Sequence, residues 1–370
     1  MTAQKWFTDL VNLAGITPNG SQVFDPQILN PSFYLRVRRD GLLGLGESFL
    51  DRWWTCAKLD EFAYRLLDHK VEEHMGLFLP VVYGAIRAWL LNLQSVRRAS
   101  QVGKKHYDLG NELFEFMLGQ NMAYSCGFWK GAESLEEAQY AKFKLICDKL
   151  CLERGMRVLD IGCGWGSFAK YAAEHYGVSV IGLTVSQKQA EYARQRCQGL
   201  DVEIRFQDYR SFHEHVDRIV SIGSWEHVGV KNYRRAMVLA RECLSNDGLF
   251  LLHTIGSLRS GLATDPWVEK YIFPNGMLPS LKQITQSAEE LFVVEDVHNF
   301  GADYDPTLMA WHRNFVNAWP ELADRYGERF FRMWSYYLLI CAGAFRARHL
   351  QLWQVVLSPR GVRGGYHLVR

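Results

Sequence analysis

Several things are scarce in this sequence, and each scarcity excludes something. Its 370 residues hold no uninterrupted apolar run of the roughly 20 residues that a membrane span needs. The nearest candidate, residues 75–96 (MGLFLPVVYGAIRAWLLNLQSV), has Arg87 in its middle and Pro80 within its helical pattern, so it reads as a buried or interfacial helix. The N-terminal stretch MTAQKWFTDLVNLAGI is broken by Lys5 and Asp9, and no signal peptide is expected. The eight cysteines form no CxxC pair and show no zinc-ligand spacing; Cys147 and Cys151 read as neighbours on a helix, and no metal is expected. That cysteine usage fits a reduced, cytoplasmic protein. There is no internal repeat and no low-complexity tract. A net charge of +2 leaves no excess of either sign, which argues against nucleic acid as a partner. With 48% apolar and 22% charged residues, disorder, collagen-like repeats and a whole-chain coiled coil are excluded.

What is present is unevenly distributed. Residues 74–107 hold five basic side chains and no acidic one (Arg87, Arg97, Arg98, Lys104, Lys105), and residues 329–370 hold seven and none, leaving the remainder net acidic. Such segregation fits either solvated arginines or a surface facing anionic lipid headgroups. Aromatic residues are plentiful, with 12 Trp, 17 Tyr and 21 Phe. Residues 1–92 read as a mainly helical domain for lipid and membrane docking, including a helix over Asp51–Leu67; Trp53 and Trp54 read as core, with lipid contact as the alternative. Residues 93–104 are polar and basic, a linker. From about 105 onward the texture changes, and 105–370 reads as a second domain. Ser134 and Glu137 resemble a capping box opening a helix to about 150. Short apolar runs at 157–161, 178–184, 202–208, 217–223 and 248–255 alternate with helical patterns at 167–176, 187–197 and 231–244. This alternation predicts an α/β fold, a Rossmann-like, doubly wound parallel sheet, with the smaller helical domain before it. Beyond residue 256 the aromatics Trp267, Tyr271, Phe273, Tyr304 and Trp311 suggest a substrate pocket rather than more sheet.

The strongest local signal is VLDIGCGWG (158–166), a strand ending in Asp160 and turning through Gly162, Gly164 and Gly166 into a helix. Glycine lets the backbone turn tightly and approach a ligand. A dinucleotide loop spaces its glycines G-x-G-x-x-G; here the third comes one residue early and an acid precedes the loop. The pattern resembles the S-adenosylmethionine loop of class I methyltransferases, with a dinucleotide site and a purely structural turn as the alternatives. The second strand ends in Thr184 with no carboxylate, so Thr184 and Gln189 are the candidates for the ribose. Asp208 and Tyr209 fall where the adenine should lie, and Asp208 is also a candidate helix cap.

With these residues stand several longer blocks: GLGESFLDRWW (44–54), VGKKHYDLGNELF (102–114), YSCGFW (124–129), DRIVSIGSWEHVG (217–229), LLHTIG (251–256), KYIFPNGMLPS (270–280), HNFGADYDPTLMAW (298–311) and CAGAFRARHLQLWQVV (341–356). Together they resemble the bacterial cyclopropane-fatty-acyl-phospholipid synthases over nearly the whole chain. The related mycolic-acid cyclopropane synthases share the catalytic half but lack the N-terminal domain. The resemblance implies methylene transfer from S-adenosylmethionine to a cis double bond of an unsaturated phospholipid acyl chain, giving S-adenosylhomocysteine, with bound bicarbonate as the base. It also implies a homodimer docked peripherally on the inner face of the bilayer.

By the same resemblance the bicarbonate cage maps to Cys126, Glu226, His253, Ile255 and Tyr304, and Tyr124 and Ser125 close over the carboxylate end of the cofactor. Gly223, after the fourth strand, joins the cofactor set. Taken alone, Glu226 also fits an acid at a helix N-terminus, and His253 a satisfied core histidine. Two anions side by side should repel, so Glu226 beside bicarbonate needs a proton or a bridging donor. Cys341 matches a cysteine proposed as catalytic in the family, yet its apolar surroundings suggest an inert thiol. The competing readings are a relative that leaves a methyl branch or methylates a small amine, and a non-catalytic lipid-binding protein.

Overall fold

A computed structural model describes residues 1–74, 110–261 and 265–370. The 75–96 segment, the 93–104 linker and the basic side chains from Arg87 to Lys105 lie outside the described residues. The chain forms two compact units, the first drawn from Met1–Leu91, Leu262–Pro274 and Tyr304–Leu350, the second from Asn92–Gly261, Asn275–Asp303 and Gln351–Arg370. The units interleave along the chain, whereas the sequence suggests a single cut at 93–104.

The first unit is built on aromatic packing. Thr2 caps the helix Ala3–Asn12, whose Phe7 meets the Phe33 ring edge-on at 4.9 Å. The helix expected over 51–67 begins only at Leu59. Arg52 takes a φ of +59° and breaks the chain, and Trp54–Thr55 pairs with Gln27–Ile28 as a short antiparallel ladder. The Trp54 indole, wholly buried, donates to the Leu45 carbonyl at 3.0 Å, so tertiary packing overrides the helical spacing of 51–58. The helical stretch Tyr304–Arg346 is interrupted at Gly327, where φ is +72°. Near its end Gly343 admits the helix Leu59–Asp68, since a Cβ there would lie 2.5 Å from the Asp60 carbonyl oxygen. Arg346 links the two helices through Asp60 (2.9 Å) and also pairs with Asp305 (2.9 Å) at the start of its own helical stretch.

The second unit carries a seven-stranded sheet. Its strands are β1 (Arg157–Ile161), β2 (Ser179–Thr184), β3 (Val202–Phe206), β4 (Val216–Ile222), β5 (Leu244–Ser257), β6 (Val293–Asn299) and β7 (Leu350–Ser358). In space they run β3-β2-β1-β4-β5-β7-β6. The first five are parallel neighbours, and β6 pairs antiparallel with β7. Successive residues point to opposite faces. Leu159, Ile181, Ile219, Phe250 and Val355 pack one core, while Val158, Val180, Val220, Leu251 and Val356 pack the other. Near-continuous apolar strands are what a sheet covered on both faces requires. Past residue 256 the expectation that the chain adds no more sheet is corrected, because β6 and β7 extend the sheet from there. The apolar run LQLWQVVLS carries the second of these strands, fully paired between β5 and β6. Trp267 and Trp311 lie in the core of the first unit, 1% and 0% exposed.

Candidate active site

The parallel strands end on one side of the sheet, where such folds bind ligands. There β1, β2, β4 and the turn after β3 surround a cavity of about 220 Å³. Each residue expected to hold the cofactor lines it: Tyr124, Ser125, Asp160, Gly162, Gly164, Thr184, Gln189, Asp208, Tyr209 and Gly223. The loop after β1 needs its glycines. Gly162, Gly164 and Gly166 take φ of +83°, +55° and +78°, and a Cβ on Gly162 would sit 2.6 Å from that of Ser224. The amides of Gly162 and Cys163 both donate to the Leu183 carbonyl, at 3.0 and 2.9 Å, which ties the loop to the end of β2.

The polar walls are held by one another. Thr184 donates its hydroxyl to Gln189 Oε1 at 3.1 Å and accepts from the Ser186 amide at 3.2 Å. Asp208 does more than was expected of it. It caps the short turn that follows by accepting from the Arg210 amide at 2.9 Å, and it takes the Arg210 guanidinium in a two-pronged pair at 2.8 and 2.6 Å. Burial works to raise its pKa, but the hydrogen bonds and charge of Arg210 outweigh burial and hold it below the usual range. Burial lifts the Tyr209 phenol to about 12, so it stays protonated against the cavity. Asp160 is different: its Oδ1 is buried without a hydrogen-bond partner, and burial pushes the carboxyl up to about 7. A glycine-lined cavity with an unpartnered carboxyl oxygen and a Thr–Gln pair fits a ligand that carries an amino group and ribose hydroxyls, as S-adenosylmethionine does.

Next to this cavity three of the residues assigned to the bicarbonate cage come together. Glu226 Oε1 accepts from the Ile255 amide at 2.7 Å, and the Gly223 amide donates to the His253 carbonyl at 2.9 Å. Glu226 Oε2 and His253 Nε2 are buried with no partner. Burial pushes Glu226 up to about 7. Burial, reinforced by the charges of Lys142 and Lys149, drives His253 well below its ordinary value, so the ring is neutral. With the Gln354 amide placed to donate to His253 Nδ1 at 3.3 Å, the ring proton sits on Nε2, facing outward as a donor. His253 Nε2–H and, when Glu226 is protonated, its hydroxyl are two donors that suit a small oxyanion, while the Ile255 amide is spent on Glu226. Cys126 is wholly buried in the neighbouring loop, with Sγ 3.1 Å from the Gly127 carbonyl. Tyr304 and Cys341 belong to the first unit. Tyr304 opens the helical stretch to Arg346 with its ring 4.5 Å from that of Phe345. Burial, and then Asp265, raise the Cys341 thiol to about 12, which denies it nucleophilic character at neutral pH.

The sequence reading missed Lys142. It lies in the capped helix Leu135–Lys149, is 0% exposed, and donates to Ser125 Oγ at 2.7 Å and Gln139 Oε1 at 2.6 Å. A signal for it existed: Lys142 falls one helical turn from Ala138 and from Ile146, on the apolar face of that helix. Gln139, also missed, donates to the Ser125 carbonyl at 2.9 Å and fixes the loop that carries Tyr124, Ser125 and Cys126.

Comparison with known proteins agrees with this geometry. The model of the family "Mycolic acid cyclopropane synthetase" matches residues 94–355. The cyclopropane-fatty-acyl-phospholipid synthase of Escherichia coli K12 is 55% identical over 362 residues, 98% of this chain and 94% of that protein. Among solved structures, the cyclopropane synthase MmaA2 from Mycobacterium tuberculosis aligns with a TM-score of 0.66 at 31% identity, covering 70% of this chain and 97% of its own. The mycolic acid cyclopropane synthase CmaA1, solved with SAH and CTAB, aligns with a TM-score of 0.66 at 32% identity and coverages of 70% and 97%. With its glycine-loop cavity at the strand ends and a family match over most of its length, this chain belongs to the mycolic acid cyclopropane synthetase family.

Proposed function

We propose that this chain is a cyclopropane-fatty-acyl-phospholipid synthase. It adds a methylene to the cis double bond of an unsaturated acyl chain esterified in a membrane phospholipid, with S-adenosylmethionine as donor and bicarbonate as general base. One observation carries this reading: a glycine-lined cavity adjoins buried polar atoms that lack partners, namely Asp160 Oδ1, Glu226 Oε2 and His253 Nε2. When bound, the donor supplies an electrophilic methyl, and bicarbonate supplies a proton acceptor small enough to sit among buried side chains.

The protein's own residues do the rest. Tyr124 and Ser125 cover the carboxylate end of the donor, Asp160 faces its amino group, Thr184 and Gln189 meet the ribose, and Asp208, Tyr209 and Gly223 border the adenine end. An alkene is a weak nucleophile, so this grip must hold the methyl in line with the double bond. Cationic character then develops on the acyl chain, and water would trap it. Phe143, Trp165, Phe168, Trp225 and Phe250 line the cavity and keep it apolar. Aromatic faces also stabilise a cation. Ring closure needs a proton removed from the added methyl group, and the base must reach that carbon. His253 offers it an N–H group, Glu226, itself held by the Ile255 amide, orients it, and the resemblance adds Ile255, Cys126 and Tyr304 to the same cage. Cys341 has no covalent part in this scheme. The balanced products are the cyclopropane lipid, S-adenosylhomocysteine and a proton. The working form is a homodimer at the cytoplasmic face of the bilayer. Among the described residues no helix is long and apolar enough to cross a membrane.

The test is mass spectrometry of cis-unsaturated phospholipid vesicles incubated with the protein and S-adenosylmethionine bearing a fully deuterated methyl. A cyclopropane acyl product that keeps two of the three deuterons is expected. A product that keeps all three would mean methyl branching without ring closure. No lipid product, with the donor left intact, would favour a lipid-binding role.

A further inference from the structure

Two lysines of one helix are buried completely, and their surroundings differ. Lys149 has a counter-charge, Asp296 at 3.4 Å, which Arg370 also grips, and it hydrogen-bonds His298 at 3.0 Å. Lys142 stands two turns earlier on the same face; its ammonium hydrogen-bonds two neutral oxygens, Ser125 Oγ and Gln139 Oε1, and lies 4.4 Å from the centre of the Phe143 ring. An ammonium has three donors, so one is left over. Among the described residues no carboxylate pairs with Lys142. A buried charge is stable only when it is paired.

The missing anion has an obvious place. Ser125, which Lys142 holds, is followed directly by Cys126, and the charge of Lys142 is felt at both Cys126 and His253. His253 Nε2 and Glu226 Oε2 are unpartnered atoms of that neighbourhood, as is Gln354 Oε1 beside His253. We propose that Lys142 is the counter-ion of the small oxyanion held by His253, Ile255, Glu226 and Cys126, a positioning residue that supplies the positive charge the cage otherwise lacks and anchors the Tyr124–Cys126 loop beside it. The inference rests on the bicarbonate reading above. It also removes the difficulty of Glu226: the charge balance of the site is closed by Lys142, and a Glu226 raised to about 7 by burial can sit protonated beside the anion as a donor. Without the anion, burial depresses Lys142 itself to about 7, which is the cost of an ammonium left unpaired.

The experiment measures anion binding directly, by line broadening of 13C-bicarbonate in buffer stripped of carbon dioxide, with chloride keeping the ionic strength constant. Lys142→Met keeps the length of the side chain and removes the charge; Lys142→Gln also keeps a hydrogen-bond donor. Both should weaken bicarbonate binding at least tenfold while the affinity for S-adenosylhomocysteine, read by calorimetry, changes less than threefold. In the wild-type protein, whose folding is not in doubt, bicarbonate should raise the titration midpoint of Lys142, followed through 13Cε-labelled lysine. Unchanged bicarbonate affinity in the variants, or equal losses for both ligands, would overturn the role of Lys142 as counter-ion. A wild-type Lys142 that titrates identically with and without bicarbonate would do the same. No bicarbonate binding by the wild type at all would overturn the base assignment together with this inference, so the two failures can be told apart.

Discussion

Single residues at this site are set by what surrounds them. Asp160 and Glu226 are carboxyls whose burial outweighs what their neighbours offer, and both are pushed to about 7. The direction has a consequence for stability. A carboxyl whose folded pKa exceeds its unfolded value stabilises the fold fully below the unfolded pKa and loses that contribution as pH rises through the folded one. For Asp160 the loss runs from about 4 to about 7. Asp160→Asn cannot ionise, so in the absence of cofactor it should gain a few kcal/mol over the wild type as pH rises through that window, while binding S-adenosylhomocysteine more weakly. Urea unfolding at about pH 4 and about pH 8 measures the gap, and parallel pH dependence in the two proteins would refute the assignment. The glycines, Asp160 and the Thr184–Gln189 pair were legible as residues because a motif places them at strand ends. Lys142 was legible only as a lysine on the apolar face of its helix; a helical lysine is ordinarily solvated, and its burial had to be seen.

At the scale of elements, packing decides which apolar runs become strands. β7 is inserted between β5 and β6, and its position depends on a close approach. A Cβ on Gly256, near the end of β5, would lie 1.9 Å from the Trp353 ring of β7. Gly256→Ala should therefore destabilise the second unit by about 2–3 kcal/mol, as overpacking does in a dense core. Denaturant melts would show it, and a change under about 0.5 kcal/mol would mean that the two strands separate easily. The five parallel strands and the capped helix Leu135–Lys149 could be read from short apolar runs and the Ser134–Glu137 pair. The strands β6 and β7 were missed because aromatic residues of the stretches before and between them, such as Trp267, Tyr304 and Trp311, suggested a pocket. The helix expected over 51–67 failed at its start for a related reason: Trp54 gains more from burial and its bond to Leu45 than from helical geometry.

Across the whole molecule the distribution of charge takes on two meanings. Within the basic segment 329–370, Arg329 pairs with Asp51, Arg346 with Asp60, Glu61 and Asp305, and Arg370 with Asp296. Those cations serve folding and are not available to a headgroup surface. The other basic segment lies outside the described residues, and the expectation for it rests on sequence. Replacing Arg97, Arg98, Lys104 and Lys105 with Gln should weaken binding to anionic vesicles, at about 1 kcal/mol per charge in low salt. The difference should collapse at about 0.5 M salt, where screening is strong. Vesicle sedimentation over a salt series measures this, and equal binding by both proteins throughout would remove the segment from membrane docking. The sequence by itself determined the alternating sheet, the glycine loop and the family, because these depend on local periodicity and on residue types at fixed spacing. Only the tertiary structure decided how the chain divides into interleaved units, which arginines are neutralised, and that a lysine is buried with no carboxylate partner among the described residues. Those properties depend on residues far apart in sequence and on the loss of water around them, which no local pattern records.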